Sequence, residues 1–261
     1  MRGRIRHRVS SKLIVMSVSI LVCLIATANV TQGTEIQGRI LIRDDVSLNN
    51  QTELLKKLRA ITGWTDLKFD NNGVLRWGKE FSKIGSKSAR DLLIKAAEGD
   101  ALIVLEDASA RSDVAFCRVV PGRWAHRDLP DVRAFVMLID FADFHEVTGD
   151  AEARAAFDVG WGFLHELHHV VNDSADARNM GEAGACENEI NKMRSELGLP
   201  LRITYFFSPL PAKVNPEFTT RLVRLAFEKR DSRVNRTHRY WLIWDAATVG
   251  GLQQSETASL R

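Results

Sequence analysis

Gly162-Phe-Leu-His-Glu-Leu-His-His169 is the stretch of this chain that decides its fold class and its chemistry. It contains the pattern H-E-x-x-H, with His165 and His169 four residues apart and Glu166 beside the first. On an α-helix, residues i and i+4 lie one turn apart on the same face. The two imidazoles can therefore bind one zinc ion, while Glu166 lies next to the water that such an ion activates.

The residues around this pattern predict a largely buried helix with one narrow polar slot. A core helix with hydrogen-bonded histidines is the alternative, but two histidines and a glutamate are costly to bury without partners. Gly162 lies one turn before His165, where a side chain would crowd a metal or a substrate. His168 falls beside the apolar arc, which indicates a supporting residue rather than a ligand.

A catalytic zinc usually takes three protein ligands and leaves one position for water. A third histidine about six residues after the pattern would mark one large group of zinc enzymes. That position is Ala175, so the sequence excludes this group. The remaining candidates are acidic residues in the segment that follows, namely Asp173, Asp176, Glu182, Glu187 and Glu189.

The segment 184–198 predicts a helix that is closed by a glycine and followed by a proline. Its apolar stripe borders Glu187, whereas Glu189 falls on the charged, solvated face. We therefore predict Glu187 as the third zinc ligand. The alternatives that the sequence leaves open are Glu182, Asp173 and Asp176.

The chain resembles the zincin metallopeptidases, and within them the gluzincins, whose third ligand is a glutamate. The segment from Glu187 to Tyr205 is more specifically similar to effector-type and toxin-type zinc peptidases of bacteria. The resemblance covers about residues 155–206, and H-E-x-x-H carries most of its specificity. The residues that support it are His165, Glu166, His169, Glu187, Arg194, the run Glu196–Arg202, and Tyr205.

The resemblance implies zinc-dependent hydrolysis of peptide bonds, with Zn²⁺ as cofactor and a protein or peptide as substrate. Zinc, held by the two histidines and Glu187, would lower the pKa of its bound water to about 7. Glu166 would take the proton as general base and pass it to the leaving amine. A donor must stabilise the developing oxyanion, and Tyr205 and Arg202 are the candidates.

Two other functions are compatible with the same residues. One is a zincin-fold binding protein that keeps the pattern and has lost turnover. The other is a zinc hydrolase that acts on a bond other than a peptide bond, because the zinc chemistry is shared.

The N-terminus predicts export. Residues 1–28 combine a basic start, an apolar stretch over 13–25 and small residues that end at Ala28, as in a cleavable signal peptide. The apolar stretch is short for a membrane span. We therefore predict a secreted or periplasmic protein, with no membrane contact in the mature form unless the signal stays uncleaved.

The charge balance gives no reason to expect a nucleic-acid partner. The chain carries 36 Lys+Arg and 33 Asp+Glu, a formal net charge of +3. Five of the basic residues lie in the predicted signal, so the mature chain has a net charge of −2. A basic binding surface would need an excess of positive charge.

Two cysteines remain after the predicted signal, Cys117 and Cys186. In an oxidising compartment they could form one disulfide, if their Cα atoms approach within about 7 Å. Their spacing matches no cysteine-based zinc site.

The order of predicted elements indicates an α+β fold of the zincin type, with one domain over residues 29–261. A mixed or antiparallel sheet lobe covers about 35–150, the active-site helix about 151–172, and a mostly helical lobe about 173–261. Predicted strands lie near 35–43, 101–105, 114–119 and 132–141, a hairpin over 66–77, helices over 52–61, 89–97 and 216–228, and a closing aromatic segment over 240–244.

Overall fold

The computed structural model describes residues 38–122, 132–210, 221–231 and 233–250. The predicted signal peptide and its cleavage position near Ala28 lie outside these residues. Within them, the chain forms both helices and sheets, which confirms the α+β class.

The described helices are α1 (Leu48–Thr62), α2 (Lys87–Glu98), α3 (Phe141–His145), α4 (Ala151–Ala155), α5 (Val159–Asn172) and α6 (Gly184–Glu196). The described strands are β1 (Ile40–Ile42), β2 (Lys68–Phe69), β3 (Leu75–Arg76), β4 (Leu102–Asp107), β5 (Cys117–Gly122), β6 (Ala134–Ile139), β7 (Thr148–Gly149), β8 (Leu201–Arg202), β9 (Ser208–Pro209), β10 (Leu222–Asp231) and β11 (Arg236–Asp245). The short strands β2 and β3 form the predicted hairpin.

The first sheet is mixed and has the strand order β1-β4-β6-β5. Strand β4 runs parallel to β1 and β6, whereas β5 is antiparallel to β6. Residues 102–105 of β4 form a continuous apolar, buried run, as is typical of the centre of a parallel sheet. Among the described residues β5 pairs with β6 alone, and the backbone N–H of Val119 points from the other edge of β5 toward α5.

The helices that cover this sheet have capping residues at their ends. The Ser47 side chain caps α1 by accepting a backbone hydrogen bond, and Gly63 ends the helix in the left-handed region at φ 79°. Ser86 caps α2 in the same way as Ser47 caps α1. Both helices confirm the predictions over 52–61 and 89–97.

Helix α5 carries the histidine pattern and is shorter than the single helix predicted over 151–172. The chain forms α4 first and then breaks, because Asp158 is extended (φ −149°, ψ −177°) and its carboxylate accepts the N–H groups of Gly160 and Trp161. At the other end, Asp173 stops α5 in a left-handed conformation with φ 49°.

The second half of the chain contains more strand than the sequence predicts. Strands β10 and β11 pair antiparallel over ten residues each, and β7, β8 and β9 complete the second sheet. The predicted helix over 216–228 is wrong for residues 222–228, which lie in β10. Apolar residues at every second position, Val223, Leu225 and Phe227, are buried, and this period of two suits a strand.

The predicted helical lobe over 173–261 therefore contains one helix, α6, and most of a five-stranded sheet in its described part. Helix α5 lies in the main core, packed against the first sheet, α1, α2 and α6. A second apolar cluster joins β10 and β11 to α4. None of the helices in the described ranges combines the length and apolar character that a membrane span requires.

Candidate metal centre

Helix α5 places His165 and His169 on one face, as their spacing predicts. The two ring centroids lie 4.8 Å apart at an interplanar angle of 79°. His165 is buried and His169 is half-buried, so both rings are largely withdrawn from water. Buried imidazoles need polar partners, and those partners define the site.

The first partner is Asp176, in the loop between α5 and α6. Its Oδ1 lies 3.0 Å from Nε2 of His165 and 3.4 Å from Nε2 of His169. Bonds of about 2.0–2.2 Å to a tetrahedral zinc would place ligand atoms about 3.3–3.5 Å from one another. The two distances from the carboxylate oxygen to the ring nitrogens are thus close to those between ligands of one ion.

The other nitrogen of each ring has its own acceptor. Nδ1 of His169 lies 2.7 Å from the carbonyl oxygen of Ser174, and Nδ1 of His165 lies 3.2 Å from Oε2 of Glu187. Histidines that bind a metal usually donate their second N–H to a carbonyl or a carboxylate in this way. With the hydrogen on Nδ1, the Nε2 lone pair of each ring would be free for a metal ion, whereas in the metal-free site the Nε2 atoms can donate to Asp176.

Glu187, the predicted third ligand, does not lie among the atoms that converge on Asp176. Its fully buried carboxylate forms ion pairs with Arg194 and Arg202, the latter at 3.1 Å, besides its contact with His165. Burial acts to raise the pKa of Glu187, but the two guanidinium groups outweigh it and hold the pKa well below its usual range. We correct the prediction accordingly: Asp176, and not Glu187, lies beside the two Nε2 atoms, and Glu187 contacts Nδ1 of His165.

The ion pair between Glu187 and Arg194 gives a prediction for stability. Arg194 is buried, and its Nε donates to the carbonyl oxygen of Ala156 at 2.8 Å. Replacing Arg194 with leucine leaves the Glu187 carboxylate undercompensated, so we expect the free energy of unfolding to fall by about 3–5 kcal/mol. Urea unfolding of the chain measures this, with the exposed Arg178→Leu as the matched control. Equal stability of the two variants would contradict the predicted effect.

Cys186 is the fourth group of the cluster, and the sequence did not indicate it as a ligand. Its Sγ is buried, 3.6 Å from Nδ1 of His165, and one ligand atom each from His165, His169, Asp176 and Cys186 lies within 4.8 Å of the others. Burial acts to raise the pKa of Cys186, but contacts with the histidines outweigh it and lower the pKa to about 5. Cys117 and Cys186 are both free thiols, so no bridge forms between them.

Tyr205 and Arg202, the predicted oxyanion donors, make contacts inside the protein. The Tyr205 hydroxyl donates to Oδ2 of Asp176 at 2.8 Å, and its ring stacks on His165 with centroids 6.0 Å apart. The Arg202 guanidinium contacts Glu187 and donates to the carbonyl oxygens of Thr204, at 3.1 Å, and Tyr205. The structure therefore gives both residues a positioning role.

His168 supports the loop that carries Asp176. Its Nδ1 lies 2.7 Å from Oγ of Ser174, and its ring is buried. It is not one of the four groups of the cluster. The contact holds the residues between α5 and Asp176 against the helix, in keeping with the supporting role that the sequence indicates.

Glu166 lies beside the cluster in a shallow cleft that also contains His169, Asp176 and Tyr205. Its Oε2 accepts the backbone N–H of Val119 at 2.9 Å, which fixes the carboxylate against the edge of β5. Burial raises the pKa of Glu166, although His165 and His169 act in the opposite direction. A raised pKa near a cleft suits a carboxylate that exchanges protons.

Protonation links the site to pH. Burial acts to lower the pKa of His169, but hydrogen bonds to Asp176 and Cys186 outweigh burial and raise it to about 10. The same carboxylate contributes to a raised pKa of His165. A cation that binds here must displace these protons, so its affinity falls as the pH falls.

Gly162 serves helix packing rather than the cluster. A Cβ at this position would lie 2.8 Å from Sγ of Cys117 and 2.8 Å from Cζ of Phe144. Both contacts are closer than real Cβ atoms tolerate. The glycine therefore lets β5 and α3 approach α5 closely, and it lines the cavity beside the cluster, so the part of the expectation that concerns a metal is not supported and the part that concerns a substrate stays a prediction.

Comparison with protein-family models, curated proteins and solved structures finds no match for this chain.

Proposed function

We propose that this chain is an exported zinc-dependent peptidase whose ion is held by His165, His169 and Asp176, with Glu166 as general base. The observation that carries the proposal is the convergence of Asp176 Oδ1 on the two Nε2 atoms, at 3.0 and 3.4 Å. Imidazole and carboxylate donors with buried second partners suit zinc.

When bound, zinc lowers the pKa of a coordinated water and polarises a carbonyl. Glu166 is not one of the cluster's donors, so its carboxylate is free to accept a proton from the attacking water and to pass it to the leaving nitrogen. The hydrogen bond from Val119 holds the carboxylate in one orientation. The hydrogen bond from the Tyr205 hydroxyl orients the Asp176 carboxylate toward the two histidines. The contact between Glu187 and Nδ1 orients the His165 ring.

The neighbouring strand supports a peptide as substrate. In the described part of the chain, one edge of β5 pairs with β6 and the other faces the cleft at Val119. An extended peptide could donate its N–H groups to the carbonyl oxygens of this edge, because the Val119 N–H is already bonded to Glu166. A peptide bound along this edge would pass the Glu166 carboxylate, which lies beside Val119. A substrate that lacks a peptide backbone could not bind the strand edge in this way.

A second candidate function, a closed structural metal site, is favoured by one observation, the position of Cys186. Four protein ligands would leave no place for water, as in structural zinc sites. Sγ of Cys186 lies 3.6 Å from Nδ1 of His165 and 3.4 Å from its carbonyl oxygen, and Nδ1 is the ring nitrogen that does not contact Asp176. We therefore prefer three ligands with the thiol alongside.

Metal analysis and peptide cleavage test the proposal together. We expect the purified chain to bind one zinc ion and to cleave a quenched-fluorescence peptide library, with activity lost on chelation and restored by zinc. Cys186→Ala should keep both properties, with Cys117→Ala as its matched control. Loss of zinc in Cys186→Ala alone would favour the closed site, and cleavage that survives chelation would contradict the peptidase proposal.

A further inference from the structure

A cavity with aromatic walls adjoins the cluster. It has a volume of about 210 Å³ and lies where α5, the turn before β5 and the second sheet meet. A dry apolar cavity of about 150 Å³ is large enough to admit a benzene ring. Aromatic side chains form most of its walls, among them Phe116, Phe144, Phe157, Trp161, Phe207 and Trp244.

This cavity and the cleft of the cluster are adjacent. Cys117, Glu166 and Tyr205 line both of them, and His165 lines the cavity as well. A group that occupied the cavity would therefore be attached to atoms close to the Glu166 carboxylate. The cavity is therefore placed to receive a substrate side chain that is next to the bond to be cleaved.

Three of the charged groups that reach the cavity are engaged with one another, and Glu166, at its border with the cleft, is bonded to the backbone N–H of Val119. Glu187, Arg194 and Arg202 form the ion-pair network, so the cavity presents no unpaired charge from these residues. Among the described residues, the buried indole N–H of Trp244 has no hydrogen-bond acceptor. The mostly aromatic walls favour an apolar group over a charged one, because the three charges of the network are already paired and a buried charge without a partner is costly.

The rings fix the shape of the cavity. Phe116 packs edge-on against Phe157 and Trp244, with centroids 5.1 and 5.5 Å away, and Phe207 packs against Trp244 at 5.6 Å. Such contacts hold aromatic rings in defined orientations. The cavity is therefore largely formed before a ligand enters it, which lowers the cost of binding.

We propose that this cavity is the specificity pocket of the site and takes a large apolar side chain, aromatic or branched, of a peptide substrate. The inference rests on the proposed peptidase function. It adds that cleavage sites carry such a residue beside the reacting bond, and that small or charged residues there are disfavoured.

Binding of amino-acid amides tests the pocket without turnover. Trp161 and Trp244 line it, so tryptophan fluorescence of the metal-free full chain can report occupancy. We expect N-acetylphenylalanine amide to bind roughly 10- to 100-fold more tightly than N-acetylalanine amide. The same preference should appear in cleavage of the peptide library by the zinc-loaded chain.

Two variants change the pocket in opposite directions. Ala115 lines it and is half-buried, so Ala115→Phe should fill it and remove the preference. Phe207→Ala should widen it and weaken binding of the phenylalanine amide by about 10-fold. Phe81→Ala, the same change at an exposed phenylalanine remote from the pocket, should leave binding unchanged.

The outcomes separate the two proposals. Selective binding of the phenylalanine amide without any zinc-dependent cleavage would support the pocket and overturn the peptidase. Cleavage without preference, or equal binding of the two amides, would overturn the pocket and leave the peptidase standing. Retained preference in a folded Ala115→Phe chain would also overturn the pocket.

Discussion

Replacement of Glu166 with glutamine is expected to lower peptide cleavage by at least about 10²-fold while zinc stays bound. Glutamine keeps the shape of the side chain and can still accept the backbone N–H of Val119. It cannot take up a proton from the attacking water. The zinc-binding atoms of His165, His169 and Asp176 are unaffected, so zinc content should equal that of the unmodified chain.

The matched control for this change is Glu182→Gln, which alters an exposed carboxylate outside the cluster. Cleavage rate and zinc content should both be measured for the two variants. Full activity in Glu166→Gln would remove Glu166 as the base. Loss of zinc in that variant would instead indicate that Glu166 helps to hold the ion.

Asp176→Asn is expected to weaken zinc binding by more than about 100-fold. The change removes the charge that faces both Nε2 atoms while keeping the size of the side chain. Loss of a residue that only supports a ligand usually costs about 10- to 100-fold in metal affinity, so loss of a ligand should cost more. Competition titration with a coloured chelator measures the affinity.

Asp173→Asn is the matched control, because Asp173 is exposed, ends α5 and lies outside the cluster. The zinc affinity of Glu187→Gln should lie between those of Asp173→Asn and Asp176→Asn. We expect a loss of affinity of about 10- to 100-fold, because Glu187 supports His165. If Glu187→Gln weakens zinc binding more than Asp176→Asn does, Glu187 is the ligand and the assignment of Asp176 is wrong.

The sequence predicts the local part of this site well. The four-residue spacing of His165 and His169 determines that their rings share one face of a helix, because helix geometry is regular. Periodicity also identifies Glu187 as a residue of the buried side of α6, and the structure buries it almost completely. Each of these statements depends only on residues within a few turns of one another.

The sequence does not predict which carboxylate meets the histidines. Periodicity shows that Glu187 is buried but not what it pairs with. Its partners are Arg194, two turns later on α6, and Arg202 in β8. Asp176 lies in a loop, where no period relates one residue to the next, so only the tertiary structure places it. Cys186 was missed for a related reason, since its approach to His165 depends on how α6 packs against α5.

The error over 216–228 has another physical cause. A proline near the start and scattered apolar residues suit the first turns of a helix. In β10, however, residues 222–231 pair along their whole length with β11 in an antiparallel hairpin, and this pairing overrides a weak local preference for helix. The alternation of Val223, Leu225 and Phe227 was the local sign of a strand in this segment.

The four groups of the cluster all come from residues 165–186. The loop that must close to assemble them is short, and short loops lose little chain entropy on closure. A chain in which only α5, α6 and the loop between them have formed could therefore bring these four groups together, whereas Tyr205 and Arg202 support Asp176 and Glu187 only once the second sheet is in place. An ion that engages partly folded chains raises the melting temperature less than its affinity for the native state alone would imply.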